Sequence, residues 1–376
     1  MRVLMCGGGT AGHINPALEI AAKIRRENPE AHIEYVGTEK GLETKLVPKA
    51  GYKLHFVKVE GIKRKLTPSN IKAVIHAVTS VFEAEKIVKN FRPDIVIGTG
   101  GYACWPVLKA AANLGIPAVV HESNAIPGLT TRMLTKYIDK VLLNFEESED
   151  YFDSNKEKLL CVGNPVNHKM FLLKKDECRN NLSIPQSTKM LLSYGGSLGA
   201  KKMNEIIFEM ISEKLIPEDV LHIHATGAGY WESAKEYFLS KGFLLSDEET
   251  LEKGNTKIKK YIYNMPELMA CADIVVCRAG AMTVSEISAM GKCAIFIPSP
   301  NVTDDQQFKN ASVLKRGGAA ELIRESELDS IRLSETVKYY LNHPEKISEM
   351  SDKVKKYAKP DCLDIIYGVV RSLTEK

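Results

Sequence analysis

Two stretches of this chain repeat one pattern: an apolar strand-like run, a glycine-rich turn, then an amphipathic helix-like run. Residues 3–24 read VLMCGGGTAGHINPALEIAAKI, and residues 190–211 read MLLSYGGSLGAKKMNEIIFEMI. A buried strand that turns through glycines into a helix is the opening unit of a doubly wound α/β domain. Its recurrence halfway along a chain of 376 residues predicts two such domains, since roughly 100–200 residues suffice for one.

The rest of the chain fits that frame. In the first half, strand character falls at residues 3–6, 33–36, 52–59, 94–97, 117–121 and 140–143, with helices over 16–26, 68–90, 107–113 and 129–137. In the second half, strands are expected at 189–194, 220–225, 257–261, 273–277 and 294–297, and a helix over 200–212. Strands apolar throughout, alternating with amphipathic helices, predict parallel sheets covered on both faces. Gly163-Asn164-Pro165 marks a turn between the halves. We therefore read domains over 1–163 and 168–356 with a hinge at 163–167. The tail after Pro360 is helical, with Leu363, Ile366, Val369, Val370 and Leu373 at helical spacing. Two Rossmann-like domains facing each other across a cleft would bring their glycine loops to opposite walls.

Several function classes are disfavoured. The 51 Lys and Arg are nearly balanced by 47 Asp and Glu, giving +4, without the concentrated basic face that nucleic acid requires. Mean hydropathy is −0.16, and no window of about 18 residues is free of charge, so no membrane-spanning helix is expected. The opening MRVLMCGGG is too short an apolar run for a signal-peptide core, so the chain is expected in the cytoplasm. The eight cysteines form no CxxC pair and fit neither a zinc site nor a disulfide framework. Cys6, Cys277 and Cys293 sit inside strand-like runs and read as small buried hydrophobes.

The loops carry the chemistry. Gly7-x-Gly9-x-x-Gly12 matches the dinucleotide fingerprint, with Glu39 a candidate ribose acid, so an NAD enzyme is one reading. His13, at the mouth of the helix, is placed either to exchange a proton near neutral pH or simply to pack. A second glycine turn, residues 98–102 (GTGGY), and a third, residues 195–199 (GGSLG), exceed what one dinucleotide needs and suggest two phosphate-bearing substrates. No GxxxxGK[ST] occurs. His121-Glu122-Ser123-Asn124 follows an apolar strand, where polar groups face the ligand crevice. The run from Arg278 to Glu286 opens a helix. Its Thr283 and Glu286 fit either a phosphate and a ribose diol or a capping box. Asp304, Asp305, Gln306 and Gln307 follow the next strand and can hydrogen-bond a sugar. With no Asp-x-Asp in either candidate site, backbone N–H groups and helix ends would hold a leaving diphosphate, without metal or other cofactor.

GGGTAGHINPALEIA, IGTGGY, HESNAIPGLTTR, VGNPV, GGSLGA and CRAGAMTVSEI followed by DDQQFKNA occur in the order found in the MurG family. The resemblance runs from residue 1 to about 320. It implies an α/β GT-B fold, with the C-terminal helix (360–376) returning to the first domain. It also implies an inverting transferase that moves GlcNAc from UDP-GlcNAc to the MurNAc C4 hydroxyl of lipid I, giving lipid II in peptidoglycan synthesis. The first domain would hold the acceptor and face the membrane, and the second would bind the nucleotide sugar. Residue by residue, it assigns to the donor Thr10, Ala11 and Gly12, Asn124, Ser197, and Ile262 beside the uracil. It adds Ala281, Met282, Thr283, Val284, Ser285 and Glu286, with Glu286 on the ribose, and Gln306 and Gln307 on the sugar. Many members read GNPVR where this chain has Asn167 followed by His168, so that guanidinium is missing; Lys201 or Arg278 are the candidates to replace it.

For the base we expect His13, with Glu122 as competitor, and Gly100, Gly101 and Tyr102 around the acceptor pyrophosphate. Lys63, Arg64, Lys65 and Lys72 among Ile62, Leu66, Ile71, Val74 and Ile75 suggest a seat on the anionic inner leaflet, the chain lying peripherally on the cytoplasmic face. A cell-wall synthesis complex is a further possible partner. The alternatives are another UDP-sugar glycolipid transferase, an NAD oxidoreductase, or a nucleotide-sugar binding protein without catalysis. The NAD reading leaves the Thr283–Glu286 and Gln306–Gln307 clusters without a role.

Overall fold

The computed structural model describes residues 1–59 and 68–375; for 68–78 it describes the backbone alone. The chain divides into two compact units, Met1–Asn167 with Lys359–Lys376, and His168–Ala358.

The first unit runs β1 (Arg2–Cys6), α1 (Ala11–Glu27), β2 (His32–Gly37), α2 (Glu43–Lys49), β3 (Lys53–Phe56), α3 (Pro68–Phe91), β4 (Ile95–Gly98), α4 (Cys104–Asn113), β5 (Ala118–Glu122), α5 (Leu129–Leu134), β6 (Lys140–Leu143) and β7 (Leu159–Cys161). Its seven strands lie in the order β3-β2-β1-β4-β5-β6-β7, all parallel. Residues 3–6 of β1 are wholly buried, as a central strand covered on both faces must be. The strand order reverses between β1 and β4, and ligand crevices open there, beyond the strands' carboxyl ends.

Helix α1 starts five residues before the expected Pro16, at Ala11, and Pro16 lies inside it. Ile14 explains the early start: it is fully buried on the same face as Ala17, Ile20, Ala21 and Ile24. The bond that Pro16 cannot make is the one to the Gly12 carbonyl, in the first turn. Every other strand expected in this half is present, within three residues at either end. The short α2 and β7 carry too little periodic pattern to be read from sequence.

The second unit continues with α6 (Lys169–Leu172), α7 (Lys175–Asn181), β8 (Lys189–Tyr194), α8 (Lys201–Ser212), β9 (Val220–Ala225), α9 (Trp231–Ser240), β10 (Leu244–Asp247), β11 (Thr250–Lys253), β12 (Thr256–Lys259), α10 (Met265–Cys271), β13 (Ile274–Cys277), α11 (Ala281–Met290), β14 (Cys293–Phe296), α12 (Gln306–Arg316), β15 (Glu321–Leu322), α13 (Ser330–Asn342) and α14 (Pro344–Lys355). The order is β10-β11-β12-β9-β8-β13-β14-β15. From β12 to β15 in that order neighbours pair in parallel, but β10 and β11 add an antiparallel extension to the edge of β12 that the sequence reading did not contain. All four residues of β10 are exposed, so it has no apolar face to betray it. The order reverses between β8 and β13, which places a second crevice at residues 195–199 and 278–280.

The closing helix α15 (Cys362–Thr374) packs into the first unit. Cys362, Leu363, Ile366 and Val370 join the core of Met5, Ile14 and Ile97, and Asp364 pairs with Lys23 at 2.5 Å. All eight cysteines are free thiols, and seven are buried.

Candidate functional site

The first crevice is built from glycine backbones around one carboxylate. Glu43, at the start of α2, is fully buried. Its Oε2 accepts from the Gly9 N–H at 2.9 Å, and its Oε1 from the N–H and hydroxyl of Thr38 at 2.8 and 2.7 Å. A Cβ at Gly8 would stand 2.4 Å from this carboxylate, one at Gly37 2.6 Å from its stem, and one at Gly41 1.9 Å from it. Burial pushes the Glu43 carboxyl up, but the donors from Thr38 and Gly9 outweigh it, and the net shift is downward. The Gly9 N–H that a dinucleotide phosphate would take is thus spent on a carboxylate. Glu39, the NAD reading's ribose acid, is exposed. Glu43 was not singled out from the sequence; the glycines just before it at 37 and 41 were the available signal.

The second glycine turn packs directly on the first. Gly8 N–H donates to Gly100 O at 3.3 Å, and Gly101, at φ 85°, has room for no Cβ because Gly8 O would lie 2.4 Å away. His13 is locked between them. Its Nδ1 lies 3.1 Å from Thr99 O, and Thr99 Oγ1 donates to His13 O at 2.6 Å. A carbonyl only accepts, so Nδ1 carries the proton and Nε2 of the neutral ring is a free base. Burial lowers the His13 pKa, opposed by Glu122, the Thr99 carbonyl and Glu43. Thr10, Ala11 and Gly12 form the mouth of α1: Thr10 is the N-cap without a side-chain cap bond, and the first N–H groups of the helix have no intrahelical partner. Tyr102 is 60% exposed. Trp105 packs against the core and edge-on to Tyr137.

Glu122 ends β5 and fastens the following loop. Its Oε1 accepts from the N–H and side-chain amide of Asn124, both at 3.1 Å. Its Oε2 accepts from Gly128 N–H at 2.9 Å and Thr131 Oγ1 at 2.7 Å. With four donors on two oxygens and 5% exposure, its acceptor capacity is filled from within the chain. Glu122, expected as a competing base, holds the loop of Asn124 in this fold. His121 is buried and donates to Gly163 O at 2.8 Å, so in His121-Glu122-Ser123-Asn124 only Asn124 reaches partial exposure.

In the second unit, residues 195–199 leave β8 with Ser197 exposed. Ile262 is buried after β12. Helix α11 begins at Ala281 with Gly280 as N-cap and no side-chain cap, so Thr283 and Glu286 lie within the helix and form no capping box. The first N–H groups of the helix make no bond within it; Val284 N–H bonds Gly280 O. Ser285 and Glu286 are half-buried, and among the described residues no donor reaches the Glu286 carboxylate. Burial pushes its pKa up to about 7.

Gln306 and Gln307 open α12 after two non-glycine residues in left-handed conformation, Asp304 at φ 58° and Asp305 at φ 53°. Gln307 Oε1 accepts from Ser299 N–H at 2.9 Å and Ala279 N–H at 3.3 Å, tying the ends of β13 and β14 together. Its amide nitrogen is left facing away with two donors. Arg278 does not present its guanidinium: it donates to Ile297 O and Pro298 O at 3.0 and 3.1 Å and forms an ion pair with Glu325. Lys201 is exposed and 3.9 Å from Glu205. Asn167, in the place of the family arginine, donates to Glu19 at 3.2 Å. Neither Arg278 nor Asn167 is an unspent cation or donor, so of the two expected substitutes only Lys201 keeps a mobile charge.

Among the described residues no group of three or more His, Cys, Asp or Glu is arranged to hold a metal ion, and no helix is long and apolar enough to cross a membrane. Lys63, Arg64, Lys65, Ile62 and Leu66 lie outside the described residues, as do the side chains of Lys72, Ile71, Val74 and Ile75.

Residues 3–143 match the glycosyltransferase family 28 N-terminal domain, and residues 190–365 its C-terminal domain. Over 375 residues the chain is 42% identical to the UDP-N-acetylglucosamine–N-acetylmuramyl-(pentapeptide) pyrophosphoryl-undecaprenol N-acetylglucosamine transferase of Thermoanaerobacter sp. (strain X514), covering 100% of both chains. The protein of that name from Caldanaerobacter subterraneus is 42% identical, again over 100% of both. The crystal structure of Acinetobacter baumannii MurG shares the fold at a TM-score of 0.76, with 24% identity and 99% of each chain covered. The two parallel-sheet units are the GT-B architecture that the resemblance implied, and the chain belongs to glycosyltransferase family 28 and, within it, to the MurG transferases.

Proposed function

We propose that this enzyme moves GlcNAc from UDP-GlcNAc to the MurNAc C4 hydroxyl of undecaprenyl-pyrophosphoryl-MurNAc-pentapeptide, turning lipid I into lipid II. The observation that carries the reading is identity of 42% along the whole chain to a transferase of that name. The residues support it. The acceptor hydroxyl attacks the anomeric carbon in one in-line displacement, and the α-linked donor gives a β-linked product. His13 takes the hydroxyl proton on Nε2, because Thr99 holds the proton on Nδ1. Glu122 positions Asn124 and is not the base, because its oxygens are already filled. Gly100, Gly101 and Tyr102 receive the acceptor pyrophosphate.

On the second unit the N–H groups at the start of α11 and the loop of Ser197 stabilise the leaving diphosphate. Glu286 accepts from the ribose hydroxyls, Ile262 packs beside the uracil, and Gln306 and Gln307 donate to the sugar. Thr10, Ala11, Gly12 and Asn124 are the donor contacts of the first unit. No step requires a metal.

The acceptor is a lipid, so the first unit works at the inner leaflet. Leu129 and Met133 are 64% and 46% exposed and one helical turn apart, and Tyr137, three residues beyond the end of α5, is exposed too. Lys109 and Lys136 stand over the Tyr137 ring at 3.7 and 4.8 Å. Apolar side chains rimmed by lysines suit an anionic surface.

The test is transfer of label from UDP-[14C]GlcNAc to a lipid I analogue, with thermal stability measured in UDP-GlcNAc and in NADH. Labelled lipid-linked disaccharide and stabilisation by UDP-GlcNAc alone are expected. Stabilisation by NADH without transfer overturns the reading.

A further inference from the structure

Behind the third glycine turn lies a buried polar chain that none of the roles above uses. Ser193 in β8, His222 and His224 in β9, Asn204 in α8 and Thr226 after β9 are all at most 2% exposed. Ser193 Oγ stands 2.8 Å from His222 Nε2 and 2.9 Å from His224 Nδ1. His224 Nε2 is 3.2 Å from Asn204 Oδ1, and Asn204 Nδ2 donates to Thr226 O at 2.9 Å.

Donor and acceptor chemistry leaves one arrangement. The Thr226 carbonyl only accepts, so the Asn204 amide nitrogen faces it and the amide oxygen faces His224. His224 Nε2 therefore carries a proton, and its bare Nδ1 takes the Ser193 hydroxyl proton. With that proton spent, Ser193 Oγ accepts from His222 Nε2–H. The bonds run in one direction, from His222 through Ser193, His224 and Asn204 to the Thr226 carbonyl. Both rings must be neutral, and burial holds their pKa values down at about 4 and about 3.

The end of the chain bears on the glycine turn. A Cβ at Gly199, at φ 82°, would stand 2.1 Å from Thr226 O, and one at Gly227 2.2 Å from Gly199 N. The position of the Thr226 carbonyl therefore fixes how residues 195–199 lie. We infer that Asn204 and His224 are positioning residues for the loop carrying Ser197, setting it to receive the diphosphate of the donor. This rests on the reading of that loop under Proposed function.

Three measurements test it. In the wild-type protein, 15N-labelled imidazole spectra between pH 6 and 8 should show both His222 and His224 as neutral Nε2–H tautomers; an Nδ1–H tautomer at His224 overturns the ordered chain. Asn204→Asp replaces the donor facing Thr226 O with an acceptor. It should weaken UDP binding by about tenfold or more and raise the KM for UDP-GlcNAc in proportion, with the acceptor KM unchanged. Uridine, which has no diphosphate, should inhibit this variant as it inhibits wild type, whereas general loosening of the domain would weaken both ligands. Ser193→Ala, which removes the hydroxyl bonded to both histidines, two bonds before the one to Thr226, should follow the same split if Asn204→Asp does not fold. A folded Asn204→Asp enzyme with wild-type UDP affinity overturns the inference while leaving the transferase reading intact. Failure of the wild-type protein to bind UDP overturns that reading, and this inference falls with it.

Discussion

The Nδ1 of His13 points at the carbonyl oxygen of Thr99, 3.1 Å away, and this contact decides which ring nitrogen is free to work. If Nε2 is the base, His13→Ala should lower kcat by about 10²–10⁴-fold and leave UDP affinity nearly unchanged. Burial depresses the His13 pKa, so the acid limb of kcat should fall below the ordinary histidine range near 6.5 and disappear in the variant. The same depression means the unfolded chain binds the proton first, so His13 weakens stability as pH drops below about 6.5. A His13→Asn enzyme at near wild-type rate would reduce the residue to an orienting role.

Glu43 ties three donors of two loops, and the sign of its pH dependence is opposite. Its folded pKa is depressed, so its contribution to stability is full above the ordinary carboxylate value and is lost as pH falls through the lower one. Glu43→Gln keeps an oxygen for Thr38 but turns an N–H₂ toward the Gly9 N–H, which should cost about 1–3 kcal/mol at pH 7. Urea unfolding at pH 7 and pH 4 checks this. The gap between variant and wild type should narrow at the lower pH, and a gap independent of pH would mean that the charge is not what holds the loops.

The strands and their glycine turns were legible because a two-sided buried strand is continuous in sequence: residues 3–6 and 274–277 read as apolar runs and are wholly buried. What sequence could not give is pairing between distant residues. Nothing local tells that Glu43 belongs to Gly8 and Gly9, or that Asn204 belongs to His224, because those contacts exist only once β1, β2, β8 and β9 lie side by side. Glu122 shows the same limit: nothing local to a carboxylate at a strand end tells that Gly128 and Thr131 close on it. Of the two readings left open for Thr283-x-x-Glu286, the capping box does not form, because the helix begins at Ala281 with Gly280 as its N-cap. The antiparallel edge was invisible because β10 presents no buried face.

Glu286 should show stability and binding moving in opposite directions. Its carboxyl, raised to about 7 by burial, is neutral in the folded enzyme where the unfolded chain is already ionised. Native stability therefore falls as pH rises from about 4.5 to about 7. Glu286→Gln removes that penalty and should stabilise the free protein at pH 8 by about 1–3 kcal/mol. UDP and UDP-GlcNAc should both bind about tenfold more weakly, because the ribose loses a charged acceptor. A variant that gains no stability at pH 8 would mean that the carboxylate already finds compensation in the free enzyme.

Gln307 separates sugar recognition from loop architecture, provided the right variant is used. Its Oε1 joins Ala279 N–H to Ser299 N–H, so Gln307→Ala opens the junction of β13 and β14 and should disturb UDP and UDP-GlcNAc together. Gln307→Glu keeps an oxygen in that position and replaces only the amide N–H₂ with a second oxygen. If the N–H₂ donates to GlcNAc, the Glu variant should fold normally and bind UDP as wild type does. It should lose about 1–3 kcal/mol, or roughly tenfold to a hundredfold, in affinity for UDP-GlcNAc. Titration calorimetry with the two ligands reads the difference directly. Equal affinity for UDP-GlcNAc in the Glu variant and wild type would remove Gln307 from the sugar.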